Sequence, residues 1–386
     1  MVGSLNASDA SATGERRILI VAGEPSGDRH AAALARALAG RTRCRFRGVA
    51  GPRMRAAGVE AIVPQEELAV IGFSGVVAKL PALLGARRRL LGEFARFRPD
   101  AVVLVDYPGF NLRLGPELKR RGARVFYYIA PQVWAWHAER AAAMAAWVDR
   151  LAVVFPFEEP IFRAAGVATT FVGHPLLDDL APEVGEGELR SELGAPPAAR
   201  IVGLLPGSRR GELSHHLEPM LQAAQRLRRD HADVLPVVAL AEGSSADAAP
   251  RALLDGVAVA RGRTHAVQAF ASCCAVASGT ATLETALFGT PLVVVYRVGG
   301  LNYAIARRVV KLERIGLPNI VADAEVAPEL LQDRFTPQAL ADRLGEWLRD
   351  PAALARQRAG LAIVRERLGG PGAAGRAAQA LEALWA

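Results

Sequence analysis

Four short stretches of this chain combine residue types that do chemistry with the turns that would expose them. The first is Gly23-Glu24-Pro25-Ser26-Gly27-Asp28, which follows the apolar run Ile18–Ala22. A strand that ends in a tight glycine turn and opens a helix is where open α/β sheets bind ligands. This turn lacks G-x-G-x-x-G and Gly-Lys-Ser/Thr, so neither a dinucleotide fingerprint nor a P-loop is supported. It offers instead the carboxylate of Glu24, the hydroxyl of Ser26 and the carboxylate of Asp28. Capping is the plainer use of Asp28 and Ser26, but it leaves Glu24 unexplained.

The second stretch is Asp106-Tyr107-Pro108-Gly109-Phe110-Asn111, placed after the strand-like run Ala101–Val105. A carboxylate at the C-terminal end of a strand can take a proton from an attacking hydroxyl, and an Asx turn before proline is its structural alternative. The third and fourth are anion-type turns. Pro206-Gly207-Ser208-Arg209 follows one apolar run, with Gly207 allowing close backbone approach and Arg209 suited to gripping phosphate. Ser278-Gly279-Thr280-Ala281-Thr282 follows another and opens a helix that carries Glu284. Free N–H groups and hydroxyls there suit a diphosphate, and Glu284 is spaced for ribose hydroxyls. An ordinary hydroxyl cap is the alternative.

Short apolar runs must position these turns. The first series is Ile18–Ala22, Arg45–Val49, Ala101–Val105, Val125–Ile129 and Leu151–Val154. The second is Ile201–Leu205, Val234–Leu240, Val257–Ala260, Cys274–Ala277 and Leu292–Tyr296. Helical segments separate them, and several runs are apolar on both faces, as central parallel strands are. The first helix reads as Arg29–Leu38. Pro182, Gly185, Gly187, Gly194, Pro196 and Pro197 mark 178–200 as a linker. The expected organisation is a tail over 1–15, α/β domains over 16–177 and 201–345, and closing helices over 346–386. The fold class is α/β, with two doubly wound, Rossmann-like halves.

Composition narrows the function. The chain has 386 residues and a formal charge of +8, nearly all of its basic charge being arginine. That balance suits anionic partners. No aromatic RNA-binding signature or helix-turn-helix is present, so nucleic acid is not expected. Cys44, Cys273 and Cys274 form no disulfide framework. No apolar run is long and uncharged enough to span a bilayer. His215 and His216 lack the neighbours of a zinc site.

Seven ordered blocks resemble the lipid-A-disaccharide synthases. They are GEPSGD at Gly23–Asp28, VDYPGFN ending at Asn111, YYIAPQVWAW at Tyr127–Trp136, FVGHPLLD at Phe171–Asp178, LLPGSR at Leu204–Arg209, ASGTATLE at Ala277–Glu284 and GLPNIVA at Gly316–Ala322. The resemblance implies the GT-B fold, with two domains facing a cleft and C-terminal helices crossing back to the first. It implies an inverting, metal-independent transferase with no cofactor, acting on a UDP-2,3-diacylglucosamine donor and a 2,3-diacylglucosamine 1-phosphate acceptor in lipid A biosynthesis. Asp106 is the expected base, with Glu24 and Ser26 in the catalytic turn, and the choice between Asp106 and a carboxylate near Glu24 stays open. Some relatives carry a second Asp at the position of Gly109, so Asp106 has no such partner here. Ser208, Arg209, Ser278, Gly279, Thr280, Thr282, Glu284, Asn319 and Asn111 are the expected substrate contacts.

The resemblance also implies a cytoplasmic enzyme of a Gram-negative bacterium, peripheral to the inner membrane, and leaves room for a homodimer. Val70, Ile71, Phe73 and Val76, followed by Arg87, Arg88 and Arg89, suit contact with an anionic bilayer surface. A UDP-N-acetylglucosamine 2-epimerase of related fold and a non-catalytic lipid or nucleotide carrier are the alternatives.

Overall fold

The computed structural model describes residues 14–68, 80–133, 139–241, 251–299 and 314–385. Its strands are β1 (Arg16–Ala22), β2 (Cys44–Ala50), β3 (Val59–Pro64), β4 (Ala101–Val105), β5 (Val125–Tyr128), β6 (Arg150–Val153) and β7 (Thr169–Phe171), followed by β8 (Arg200–Leu205), β9 (Val234–Leu240), β10 (Ala258–Arg261), β11 (Cys273–Ala277), β12 (Leu292–Tyr296) and β13 (Glu329–Leu331). The α-helices of the first half are α1 (Pro25–Ala39), α2 (Pro52–Ala56), α3 (Leu80–Phe97), α4 (Pro108–Arg120), α5 (Glu139–Ala145) and α6 (Glu158–Ala164). Those that follow are α7 (Leu176–Asp179), α8 (Glu186–Glu192), α9 (Arg210–Asp230), α10 (Thr264–Phe270), α11 (Thr280–Phe288), α12 (Leu317–Ala322), α13 (Pro337–Arg349), α14 (Pro351–Arg367) and α15 (Ala373–Glu382).

The chain divides into two compact units, Met1–Pro175 with Gly372–Ala386, and Leu176–Pro371. Each holds one parallel sheet. The first sheet has the order β3-β2-β1-β4-β5-β6-β7, the second β10-β9-β8-β11-β12-β13. Both step outward one way from their first strand and then reverse, which is the doubly wound pattern. The reversal falls between β1 and β4 in one unit, where Ala22 pairs with Val105. It falls between β8 and β11 in the other, where Leu205 pairs with Val276. Loops from the two central strands part at such a point and leave a crevice.

Central strands are apolar on both faces because helices cover both faces. Ala101–Val105 is buried throughout, as is Cys273–Ala277. Leu19, Val102, Tyr127 and Trp147 belong to the first core, and Val202, Val293, Phe335 and Trp347 to the second. The strands absent from the expected series are β3, β7 and β13, and each is a sheet edge. Edge strands bury less, so their apolar signal is weaker. The stretch 178–200 carries α8, whose Leu189 is buried, and it is grouped with the second unit. Of the closing helices, α13 and α14 pack within the second unit, and α15 packs on α1 within the first. Arg41 and Glu382 join α15 to the end of α1 by a 2.7 Å ion pair.

No described helix is long and apolar enough to cross a membrane. The stretch with Val70, Ile71, Phe73 and Val76 lies outside the described residues, as do Trp134 and Trp136.

Candidate active site

The first unit places carboxylates at its switch point. Helix α1 begins at Pro25, four residues before the sequence pattern suggests, because proline at N1 costs no intrahelical bond. Asp28 N–H then donates to Glu24 O at 2.8 Å and closes the first turn. Glu24 becomes the N-cap and is exposed, as is Ser26. Asp28 is different. It is buried, and its carboxylate accepts from Gly51 N at 2.9 Å, Arg53 N at 2.9 Å and Met54 N at 3.1 Å. Asp28 caps α2 rather than its own helix, and it is not aimed at a ligand.

Asp106 follows β4 in a left-handed conformation, with φ of 47°, and Tyr107 after it has φ of 50°. Two consecutive non-glycine residues in this region carry strain that the surroundings must offset. Those surroundings are specific. The Asp106 carbonyl accepts from Asn111 Nδ2 at 2.7 Å and from Tyr127 Oη at 2.8 Å. Asn111 and Tyr127 are fully buried. The Tyr107 ring lies against Gly23, where a Cβ would meet Cδ1 at 2.2 Å, so only glycine fits. Asn111, expected at the substrate, is therefore a buried staple that holds the Asp106 turn.

Burial pushes the Asp106 carboxyl up to about 6, and the nearby Glu24 charge adds to the rise. Asp106 borders a cavity of about 290 Å³ with Gln132, Phe155, Glu158 and the exposed Arg140. A carboxylate of this kind can accept a proton near neutral pH, and among the described residues Arg140 supplies the only cation lining that cavity.

The second unit places hydroxyls and arginine at its switch point. Arg209 is the N-cap of α9, and its side chain is 86% exposed. The backbone N–H groups of Ser208 and Arg209 already donate to Glu212 Oε2, at 2.9 and 3.1 Å. A Cβ at Gly207 would meet that same oxygen at 2.4 Å. The close approach expected of a ligand at Gly207 is thus taken by Glu212, and the turn presents the guanidinium and not these two amides. His216 secures the turn from behind, with Nδ1 2.9 Å from Pro206 O and Nε2 3.0 Å from Arg297 N.

The turn after β11 is more open. Gly279 is the N-cap of α11, and among the described residues no side chain caps that helix. Gly279 and Thr280 are exposed. Ser278 donates to Ile315 O at 3.2 Å, tying the turn to the segment before α12. Thr282 is not available as expected: it is fully buried and donates to Gly279 O at 2.7 Å. Its hydroxyl shapes the turn. Glu284 is largely covered, with a side-chain exposure of 16%. Asn319 is also turned inward. Its amide donates to Ala327 O and Glu329 Oε1, and its oxygen accepts from Val326 N and Ala327 N, all at 2.7–2.8 Å.

Tyr127, Arg140, Glu158, Glu212, His216 and His265 were not picked out as site residues from the sequence. The buried Tyr127 lies in a quoted block, and the others have no local signal, because their partners come from separate elements. Among the described residues no group of three His, Cys, Asp or Glu side chains could hold a metal ion.

Two parallel sheets of this order, with chemical turns at both switch points, make the molecule a GT-B-type α/β protein. Solved structures of that fold superpose on it over most of their length. A putative UDP-N-acetylglucosamine 2-epimerase from Listeria monocytogenes gives a TM-score of 0.63 at 12% identity, covering 95% of this chain and 94% of the other. The glycotransferase of kitacinnamycin gives 0.61 at 17%, covering 96% and 99%. At such identities the likeness speaks to fold alone. The family model for lipid-A-disaccharide synthetase matches residues 18–381. Lipid-A-disaccharide synthases of Geobacter sulfurreducens and Syntrophus aciditrophicus are each 43% identical over 366 residues. The matches cover 94% of this chain and 95% and 96% of those proteins. The chain belongs to the lipid-A-disaccharide synthetase family and is a glycosyltransferase of lipid A biosynthesis.

Proposed function

We propose that the protein joins UDP-2,3-diacylglucosamine to 2,3-diacylglucosamine 1-phosphate, giving the disaccharide 1-phosphate and UDP with inversion. The acceptor 6-hydroxyl attacks the anomeric carbon, its proton passes to Asp106, and the C–O bond to UDP breaks. The observation that carries this reading is the Asp106 carboxyl, held in a strained turn beside a cavity and pushed up to about 6. A base tuned toward the working pH is what proton abstraction from an alcohol requires. Glu24 supports it by charge, and the exposed Ser26 stands in the same turn. UDP is a good leaving group, so the protein needs only to stabilise diphosphate charge. Arg209 and the first-turn amides of α11, at Gly279 and Thr280, suit that task, with Glu284 on the ribose.

The test is UDP release from synthetic donor, with and without the phosphorylated acceptor, repeated in EDTA. Release that needs both lipids and survives EDTA is the expected result. Release without acceptor, or activity restored only by a divalent cation, would reject the reading.

The substrates of this reading are lipids, so the protein must meet a bilayer surface, in this reading on its cytoplasmic side. Leu80 and Leu84 of α3 are exposed at 48% and 44%, and Arg87 and Arg89 follow on the same helix. Together with Val70, Ile71, Phe73 and Val76 they form the proposed contact. Wild-type protein should pellet with anionic vesicles and be released by salt. Serine at those four positions should abolish pelleting and leave UDP affinity intact; equal pelleting by both proteins would move the contact elsewhere. A homodimer is compatible with this reading, and sedimentation would show it.

A further inference from the structure

The placing of Glu284 on the nucleotide is the reading this inference deepens and rests upon. A carboxylate that serves a ribose hydroxyl must sit near an anionic diphosphate, and like charges oppose that arrangement. Something has to fix Glu284 and offset its charge. The second unit provides one group that does both.

Glu284 Oε2 lies 3.7 Å from His265 Nε2 on α10. Gln268, one turn further along α10, reaches the same oxygen at 3.4 Å. Gln268 is itself fixed, donating to Ala281 O and Thr285 Oγ1 at 3.0 Å each. On its other side, His265 Nδ1 lies 3.8 Å from Glu183. Glu183 accepts the backbone N–H groups of His265 and Ala266 at 3.0 and 2.8 Å, so the α10 start holds it in place. The imidazole packs on Phe288, with ring centroids 6.1 Å apart. Among the described residues Glu183 from the segment before α8 and Glu284 from α11 are the charged groups against the ring, which also hydrogen-bonds the Ala181 backbone. Arg263 is turned away, paired to Glu192 at 2.8 and 3.0 Å.

We propose that His265 is a positioning residue: an imidazolium held between Glu183 and Glu284 that aims the Glu284 carboxylate at the nucleotide ribose and offsets its charge. The Glu284 carboxylate first, and Glu183 with it, raise His265 above the ordinary histidine range. The ring therefore keeps its proton to higher pH than an ordinary histidine and loses it as pH rises through that raised value. Nucleotide affinity should fall over the same interval.

The experiment is calorimetric binding of UDP to the full chain at about pH 6 and about pH 9, on either side of the histidine range. Wild type, His265→Gln, His265→Lys, Glu284→Gln and the double variant His265→Gln/Glu284→Gln are compared. UDP's own ionisation is common to all and cancels in the ratios. Expected at the lower pH is a loss of about tenfold for His265→Gln, the size of one charge-assisted contact. His265→Lys should match wild type at the lower pH and keep that affinity at the higher one, where wild type falls, since it keeps a cation and shows that the fold survives. The glutamine change should add little on top of Glu284→Gln. Wild-type affinity in His265→Gln, or losses that simply add in the double variant, would overturn the inference while the nucleotide role of Glu284 stands. Unchanged affinity in Glu284→Gln would overturn both.

Discussion

The two switch points share a topology and differ in chemistry. Between β1 and β4 the turns carry Glu24 and Asp106, with a strained backbone and a carboxyl pushed up to about 6. Between β8 and β11 they carry Arg209, Ser278 and Thr280, at the starts of two helices. One site suits a group that must lose a proton, the other a group that must keep negative charge. The sheet order therefore decides where chemistry sits, and the turn residues decide its sign. A second contrast lies inside the second unit. Glu212 occupies the Ser208 and Arg209 amides, whereas among the described residues no side chain caps α11. Two similar turns thus offer a ligand different things: a guanidinium at one and helix amides at the other.

This contrast can be broken most sharply at Asp106. Asp106→Asn should lower turnover by about 10²–10⁴-fold, the range for a lost general base, and leave the UDP dissociation constant unchanged. Near-normal turnover, or weakened UDP binding, would undo the division of labour. Glu284→Ala should do the opposite. UDP binding should weaken by about 1–3 kcal/mol, as for a lost hydrogen bond to a charged group, with the fold retained. Full UDP affinity would leave Glu284 a structural residue.

Smaller effects sharpen the picture through pH. With the ionised form of Asp106 as the proposed base, kcat/KM should climb with pH through about 6. A flat profile there would argue for another base. The same shift has a stability consequence of definite sign. The folded state holds the Asp106 proton more tightly than the unfolded chain, so this term favours folding at low pH. It is lost as pH rises from the ordinary carboxyl value through about 6. Above that, a partly buried carboxylate costs stability, and Asp106→Asn should raise Tm by a few degrees near pH 8 and not near pH 4. An equal Tm at both values would mean that burial of Asp106 carries no such cost.

Much of this was legible in the chain. The runs Ile18–Ala22 and Ala101–Val105 are apolar on both faces, which only a covered parallel sheet explains. The turns that follow them announce carboxylates, and those after β8 and β11 announce anion chemistry. The edge strands β3, β7 and β13 were not legible, because residues that bury one face or less leave little pattern.

Residue types and their order determined the two α/β series, the placing of each chemical turn after a strand, and the family. Periodicity and turn chemistry are local, so sequence holds them. Tertiary structure alone decided which polar side chains stay exposed and which turn inward. Asp28, Asn111, Thr282 and Asn319 are polar residues in the motif blocks, yet each spends hydrogen bonds on backbone within the fold, and Asn319 on Glu329 as well. Glu24 and Thr280 in the same blocks stay exposed. Likewise Asp106 owes its raised pKa to burial and to Glu24, more than eighty residues earlier in the chain, brought near by the β1–β4 pairing. His265 and Glu284 meet because α10 and α11 pack together. Direction and electrostatic environment are set by neighbours distant in sequence, and only the packed sheet brings those neighbours into place.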